Sequence, residues 1–118
     1  MNRKEQGRAG ETAAASFLEK QGVSVLERNF FCRSGEIDLI GREGDTLLIV
    51  EVKMRTDNRQ GSPCEAVDTR KQKKICRVFD YYRMKHWLDE YVPVRFDVVE
   101  VDSQYHCRWI KNAFEYLW

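Results

Sequence analysis

The sequence predicts a single α/β (α+β) domain, spanning residues 1–118, in which helices flank a mixed central β-sheet. The predicted elements follow one another as helix, strands, helix and strands, an order typical of that class. The segment from Leu47 to Lys53 is apolar on both faces over most of its length, as a central strand covered on both sides would be. A chain of 118 residues is long enough for one sheet with a few helices and too short for two domains.

The first predicted helix covers residues 4–21, and Gly22 ends it. The residues at helical spacing on its apolar face are Ala14, Phe17, Leu18 and Gln21. Glu11 stands on the same face, and its spacing leaves two interpretations open: a solvated acid favoured by the helix dipole, or a site residue. Gly7 and Gly10 each weaken the helix by about 1 kcal/mol relative to Ala, which indicates that a nucleic-acid strand or another segment passes close to the backbone.

An extended segment is predicted over residues 23–33. Asn29 is expected at a bend or a bulge within it, since asparagine tolerates the backbone conformations that such irregularities need. Phe30 and Phe31 are expected to serve the core rather than to stack on bases. Adjacent strand residues face opposite ways, so at least one of the two rings must be covered.

Two further predicted strands, residues 35–40 and 47–53, are joined by a hairpin loop at residues 42–45. Charged residues interrupt both apolar runs: Asp38 lies in the first, and Glu51 and Lys53 lie in the second. Residues two apart share a face of a strand, so Glu51 and Lys53 point the same way, about 6.7 Å apart. Burying one unpaired charge costs several kcal/mol, so these three groups need a reason to be there.

That reason is predicted to be a metal ion. If the two strands pair, Asp38 and Glu51 come within about 5 Å and repel each other by about 3 kcal/mol at an effective dielectric near 20. Carboxylate oxygens are the ligands that Mg2+ or Mn2+ takes, and Lys53 can stabilise a developing negative charge or position a water. This arrangement is typical of metal-dependent phosphodiester hydrolysis. The alternative is an ion pair between Glu51 and Lys53 at a strand end, with Asp38 facing solvent.

A polar loop is predicted over residues 54–64, and it carries Arg55 and Arg59 beside this site. Loops on a rigid scaffold commonly carry binding residues, so both arginines are predicted to contact nucleic acid. The alternative is a plain connector between two elements.

The second predicted helix begins at Asp68 or Thr69, ends near Leu88, and carries seven basic residues against two acidic ones. The predicted phosphate contacts are Arg70, Lys73, Lys74 and Arg77. Contacts with phosphates dominate sequence-independent affinity for DNA, although a solvated helix face is the usual alternative. Lys71 lies on the apolar stripe, and a lysine in a first helical turn opposes the helix dipole, so its side chain is expected to have a specific function.

The remaining segments are predicted to be structural. Residues 93–102 form a strand in which Arg95 and Asp97 share a face, and we interpret them as an internal ion pair that orders the sheet edge. A supporting role near the site is the alternative for this pair. Residues 105–110 are predicted to form a last, shorter strand.

Composition excludes several classes of protein. The four cysteines form no Cys-X-X-Cys pair, which disfavours a zinc site and indicates reduced, structural thiols. No run approaches the roughly 18 apolar residues of a membrane span, and the N-terminal residues are too polar for a signal peptide, so we expect a cytoplasmic protein with no membrane partner. The net charge of +1 does not by itself indicate a nucleic-acid binder, and it weakens the expectation of tight binding to long DNA.

Several motifs resemble one known family. Residues 35–40 read Gly-Glu-Ile-Asp-Leu-Ile, and residues 50–55 read Val-Glu-Val-Lys-Met-Arg. These motifs resemble the small bacterial YraN-like proteins, a largely uncharacterised family of the restriction-endonuclease-like PD-(D/E)XK superfamily that is similar to archaeal Holliday junction resolvases. Further matches are Gly7, Gly10, Glu11 and Ala14 in the first helix, Arg28-Asn29, Val67, Lys71, Arg-Phe-Asp-Val-Val at residues 95–99, and Asn-Ala-Phe at residues 112–114.

The resemblance implies a restriction-endonuclease-like fold and a metal-dependent endonuclease acting on DNA, with branched or damaged DNA among the expected substrates. Asp38 and Glu51 would hold one or two Mg2+ or Mn2+ ions, with the Val52 carbonyl as a further ligand. Glu11 would act on the metal directly or through water. Lys53 would orient the attacking water or stabilise the phosphate in the transition state, and Lys71 would assist on the phosphate. A homodimer is compatible with the same resemblance.

Two other functions fit the same residues. The first is a non-catalytic nucleic-acid-binding accessory protein that keeps the fold and the charges but does not cut. The second is a protein-interaction module in which the charges on the strands are purely structural.

Overall fold

The computed structural model describes residues 2–55 and 67–118. Its elements are α1 (Arg3–Lys20), β1 (Ser24–Cys32), β2 (Gly35–Glu43), β3 (Thr46–Arg55), α2 (Thr69–Lys85), β4 (Val94–Asp102) and β5 (Cys107–Phe114). The predicted elements are therefore present with small shifts at their ends. The largest shifts are at α2, which ends at Lys85 rather than Leu88, at β2, which extends to Glu43 rather than Ile40, and at β5, which extends to Phe114 rather than Ile110. No helix within the described ranges is long and apolar enough to cross a membrane.

The strands form one sheet in the order β1-β2-β3-β4-β5. The β3–β4 pair is parallel and the other pairs are antiparallel, which confirms the predicted mixed sheet. β3 is the central strand, as its two apolar faces predicted. Parallel neighbours need a long connection between them, and α2 lies in the connection from β3 to β4.

Each face of the sheet is covered by one helix. Leu48 and Val50 of β3 belong to an apolar cluster that includes Leu18 of α1. Ile49, on the other face, belongs to a cluster that includes Val78 of α2. The alternation along β3 thus sends successive side chains into two separate cores, which explains why both faces of the strand are apolar from Leu47 to Val50.

Gly10 permits close packing between α1 and β3. A Cβ atom at this position would overlap the Met54 sulfur, so the segment predicted to pass close to the helix is β3. No atom lies within 4 Å of the corresponding position at Gly7, so the same explanation does not extend to that glycine.

The paths of β1 and β2 are irregular at one level of the sheet. The guanidinium of Arg28 donates to Thr12 on α1, whereas Phe30 packs in the cluster on the α2 side. Residues two apart would share a face in a regular strand, and Asn29 between them has a φ of 53°, which confirms the predicted bend. Ile37 and Leu39 of β2 are likewise divided between the two clusters.

The predicted ion pair between Arg95 and Asp97 is confirmed. Arg95 Nε lies 2.9 Å from Asp97 Oδ1, and the Asp97 side chain is 0% exposed. The carboxylate also accepts hydrogen bonds from Trp109 Nε1 and from the Asn112 backbone N–H, both at 2.9 Å. The pair lies on the interior strand β4, and Asp97 ties that strand to the edge strand β5, which agrees with the predicted role in ordering the sheet edge.

We therefore predict that Asp97→Ala lowers the free energy of unfolding by about 3 kcal/mol or more, because it removes the acceptor of Trp109 Nε1 and of the Asn112 N–H and leaves Arg95 with Glu43 alone. Urea unfolding followed by circular dichroism measures this loss. The exposed Glu90→Gln serves as the control and should change stability by less than about 0.5 kcal/mol. An Asp97 variant as stable as this control would contradict the assignment.

Candidate active site

The candidate site lies where β2 separates from β3. Their paired residues run from Glu43↔Thr46 to Leu39↔Val50, and the next position in this register places Asp38 opposite Glu51. The backbone N–H of Val52 donates to Asp38 Oδ2 at 2.9 Å. The carboxyl groups of Asp38 and Glu51 lie close enough for each to influence the pKa of the other. The two acids therefore come together as predicted.

The buried Glu51 makes an ion pair with α2. Lys71 Nζ lies 2.6 Å from Glu51 Oε1, and the side chains of Glu51 and Lys71 are 6% and 51% exposed. Lys71 is held in the first turn of α2, where its backbone N–H donates to the N-cap residue Asp68 at 2.8 Å. Among the ion pairs of the described residues Glu51 is joined to Lys71, so the alternative that paired it with Lys53 is wrong.

A group of three carboxylates adjoins this pair. One oxygen each from Glu11, Glu36 and Asp38 lies within 4.8 Å of the others. Glu11 reaches the group from α1, so its position favours the site interpretation over the solvated acid. Asp38 belongs both to this group and to the contact with Glu51, which joins four carboxylates into one cluster.

Sequence reasoning missed Glu36 as a site residue. It stands two places before Asp38 in the same predicted strand, so a shared face was the available indication. Asp38 was predicted instead, because it lies between two apolar residues, Ile37 and Leu39. Glu36 opens the run and resembles an ordinary exposed residue at a strand end.

The electrostatics of the cluster favour protonation. Burial, and then repulsion by Asp38, raises the pKa of Glu51 to about 8. Burial, and then repulsion by Asp38 and Glu36, raises the pKa of Glu11 to about 7. Burial is also the largest cause of the raised pKa values of Glu36 and Asp38. Near neutral pH the cluster therefore has too little positive charge beside it to keep every carboxylate ionised.

Lys71 supplies part of that charge. Burial lowers the pKa of its ammonium group, but the contact with Glu51 and the nearby Asp38 and Asp68 outweigh this effect, and the pKa is raised overall. The lysine therefore stays protonated. Arg28 and Arg8 also lower the pKa of Glu11, but burial and repulsion outweigh them. The cluster therefore remains short of positive charge, and hard oxygen donors of this kind fit Mg2+ or Mn2+.

For the other predicted site residues of β3, the structure gives no contact among its described residues that tests the predicted role. Lys53 is half-buried and follows Glu51 by two residues on the strand, but its part in catalysis stays a prediction. The Val52 N–H is bound by Asp38, and metal ligation by its carbonyl also stays a prediction. Arg55 Nε lies 2.7 Å from Glu100 Oε2, so this side chain is held against β4. Arg59 lies outside the described residues.

The basic residues of α2 divide into two groups. Arg70, Lys73 and Lys74 are exposed in the turns next to Lys71. Arg77 instead donates to the Tyr116 hydroxyl at 3.0 Å and to the Leu117 carbonyl at 2.5 Å, which ties α2 to the C-terminal segment. Binding of DNA by any of the four stays a prediction, and the contacts seen for Arg77 are internal.

Comparison with known sequences identifies a family and several proteins that this chain is similar to. Residues 10–101 match the uncharacterised protein family UPF0102. A UPF0102 protein of Lachnoclostridium phytofermentans is 46% identical over 115 residues, which cover 98% of this chain and 97% of the relative. A UPF0102 protein of Symbiobacterium thermophilum is 47% identical over 112 residues, covering 92% and 94%. A UPF0102 protein of Legionella pneumophila is 36% identical over 112 residues, covering 94% and 95%.

The raised pKa of Glu51 generates a prediction about pH. A carboxyl group that binds its proton more tightly in the folded state stabilises the fold at low pH, and this contribution is lost as the pH rises from about 4.5 to about 8. The Glu51→Gln side chain has no proton to lose. In the presence of a chelator, the free energy of unfolding of this variant minus that of wild type should therefore increase by about 2 kcal/mol or more as the pH rises from about 4.5 to about 8.

Urea unfolding at a series of pH values measures this difference. Glu19→Gln, an exposed acid on α1, is the matched control, and its difference from wild type should be flat. If the stability difference between Glu51→Gln and wild type is also independent of pH, the inferred burial and repulsion at Glu51 would be contradicted.

Proposed function

The chain belongs to the UPF0102 family, and we propose that it is a metal-dependent endonuclease that hydrolyses DNA phosphodiester bonds. The observation that carries the proposal is the gathering of acidic side chains at the end of the β2–β3 pairing, where Asp38 lies beside Val52 and within 4.8 Å of oxygens of Glu11 and Glu36. Two acids on neighbouring strands can hold a divalent cation that assists phosphodiester hydrolysis, and Lys71 lies beside them.

Asp38, Glu51 and Glu11 would hold Mg2+ or Mn2+, and Glu36 joins them through its place in the acidic group. A divalent cation bound there would neutralise the surplus negative charge, polarise a phosphoryl oxygen and lower the pKa of a bound water. The Val52 carbonyl, on the residue whose N–H binds Asp38, remains part of the proposed ligand set. The raised pKa values imply that metal ions and protons compete for these oxygens.

The two lysines have separate roles in the proposal. Lys53 shares its strand with Glu51, and its ammonium group would orient the attacking water or stabilise charge on the phosphate. Lys71 stays protonated beside Glu51 and is half-exposed, so it can reach toward a bound phosphate while its stem remains on the helix. Both act through positive charge in a region where water is partly excluded.

The DNA would lie along the first turns of α2. Lys71 fixes the start of this helix at the acidic cluster, and Arg70, Lys73 and Lys74 are exposed in the same turns. Arg55, at the end of β3, and Arg59, outside the described residues, remain proposed contacts with the DNA. The proposal also includes branched or damaged DNA as the substrate, a homodimer as the assembly and the cytoplasm as the location.

One observation favours a second candidate, a nucleic-acid-binding accessory protein that does not cut. The Lys71–Glu51 ion pair partly compensates the buried acid without any metal. In such a protein the acidic cluster would have no catalytic role, and the protein would still bind DNA in the presence of a chelator and after the Glu51→Ala substitution.

The first test of the nuclease is cleavage. Purified protein should cut plasmid or four-way-junction DNA in the presence of Mg2+ or Mn2+, and Lys53→Ala should lower the rate at least about 100-fold because it removes charge stabilisation in the transition state. Lys20→Ala, at the far end of α1, is the matched control and should cut normally. Equal activity in wild type and Lys53→Ala would mean that a contaminant cuts the DNA.

The second test is binding of the metal itself. Mn2+ at a hundredfold excess over its dissociation constant should stabilise the wild-type protein by about 2.7 kcal/mol through mass action. Asp38→Asn should lose most of this stabilisation, because Asp38 belongs to both parts of the cluster. Thermal melting with and without Mn2+ measures the effect, and a wild-type melting curve unchanged by Mn2+ would favour the accessory protein.

A further inference from the structure

Two adjacent residues of β1 bind two adjacent residues of α1. Arg28 Nη2 donates to Thr12 Oγ1 at 2.8 Å. With its nitrogen turned toward the acidic group, the Asn29 side-chain amide donates to Glu11 Oε2 at 2.7 Å and to Glu36 Oε1 at 2.7 Å. The edge strand of the sheet therefore holds both the helix and the glutamate that the helix carries.

The backbone at Asn29 explains why this residue type suits the position. Its φ of 53° is comfortable for Gly and tolerated by Asn or Asp, and it is strained for most other residues. Gly offers no donor, and Asp would add another negative charge to the cluster. Asn is the member of this set that can bend the strand and also donate two hydrogen bonds to carboxylates.

The contacts of Asn29 separate it from a plain structural residue. Arg28 and Thr12 already tie α1 to β1. The amide of Asn29 reaches instead to Glu11 and Glu36, two members of the acidic group. A neutral donor between them can hold both carboxylates in place without adding a positive charge that would compete with a cation.

We propose that Asn29 is a positioning residue of the metal site, which holds Glu11 and Glu36 in place as divalent-cation ligands while Arg28 anchors α1 through Thr12. The inference rests on the proposed function, because it concerns the same site. Partners that hydrogen-bond to metal ligands typically contribute 10–100-fold to metal affinity.

The test uses Mn2+ alone as the probe. Asn29→Gly removes the amide and keeps a residue that accepts the backbone bend, and it should raise the Mn2+ dissociation constant at least about tenfold. Asn112→Gly is the matched control, because Asn112 has a φ of 54° and lies on β5 rather than β1. The Asn112→Gly variant should bind Mn2+ with the same dissociation constant as the wild-type protein. An Asn29→Gly variant that binds Mn2+ as tightly as the control would overturn the inference.

A second background shows whether Asn29 acts through Glu11. In Glu11→Gln, the additional loss of Mn2+ affinity on Asn29→Gly should be smaller than in wild type, because one of the two carboxylates that Asn29 positions has been replaced. The same fold-change in both backgrounds would mean that Asn29 acts only by general destabilisation, and the inference would fail.

Spectra of the metal-free protein separate this inference from the proposed function. The side-chain NH2 signals of Asn29 in a 15N–1H spectrum should shift on Glu11→Gln and on Glu36→Gln, and should stay in place on Glu90→Gln. Wild-type protein that takes up no Mn2+ would refute the metal site itself. Unshifted Asn29 signals would refute the positioning contact, whether or not Mn2+ binds.

Discussion

Repulsion among carboxylates is the constraint on which this structure depends. Asp38 and Glu51 meet where β2 leaves β3, and Glu11 and Glu36 join them from α1 and from the start of β2. Two charges about 5 Å apart repel by about 3 kcal/mol even at an effective dielectric near 20. The fold responds with donors from three directions: the Val52 N–H, the Lys71 ammonium and the Asn29 amide. Each of these donors is placed by a different element.

The topology brings these elements together. Since β3 and β4 are parallel, the chain must cross over between them, and α2 returns along the sheet with its first turn at the acidic cluster. On the opposite face, Gly10 lets α1 approach Met54 of β3, which places the next residue, Glu11, beside the sheet. Space for the Met54 side chain and a residue of the acidic group are thus adjacent features of α1.

The parts of the site that follow from local rules could be predicted from the sequence. Strand alternation and hairpin pairing placed Asp38 near Glu51, and apolar residues on both faces identified β3 as central. The partner of Glu51 could not be found in this way, because Lys71 is distant in the chain and meets it only through the crossover. Glu36 was missed because it opens its strand and resembles an ordinary exposed residue. The contacts of Asn29 were missed because β1 changes its face at that residue, and period-two reasoning assumes that it does not.

A comparison within the sheet argues that the acidic cluster is more than a structural ion pair. Asp97 on β4 is paired with Val50, the residue before Glu51, so the two buried acids stand at adjacent levels of the sheet and point to opposite faces. Asp97 is saturated by Arg95, Trp109 and the Asn112 backbone, in the way that buried charges usually are. Glu51 has one half-exposed lysine and an adjacent carboxylate, and its pKa rises to about 8. The same sheet thus compensates one buried acid fully and leaves its neighbour short of positive charge, at the place where α1 and α2 converge on it. A cation bound at that place would supply what the protein itself does not.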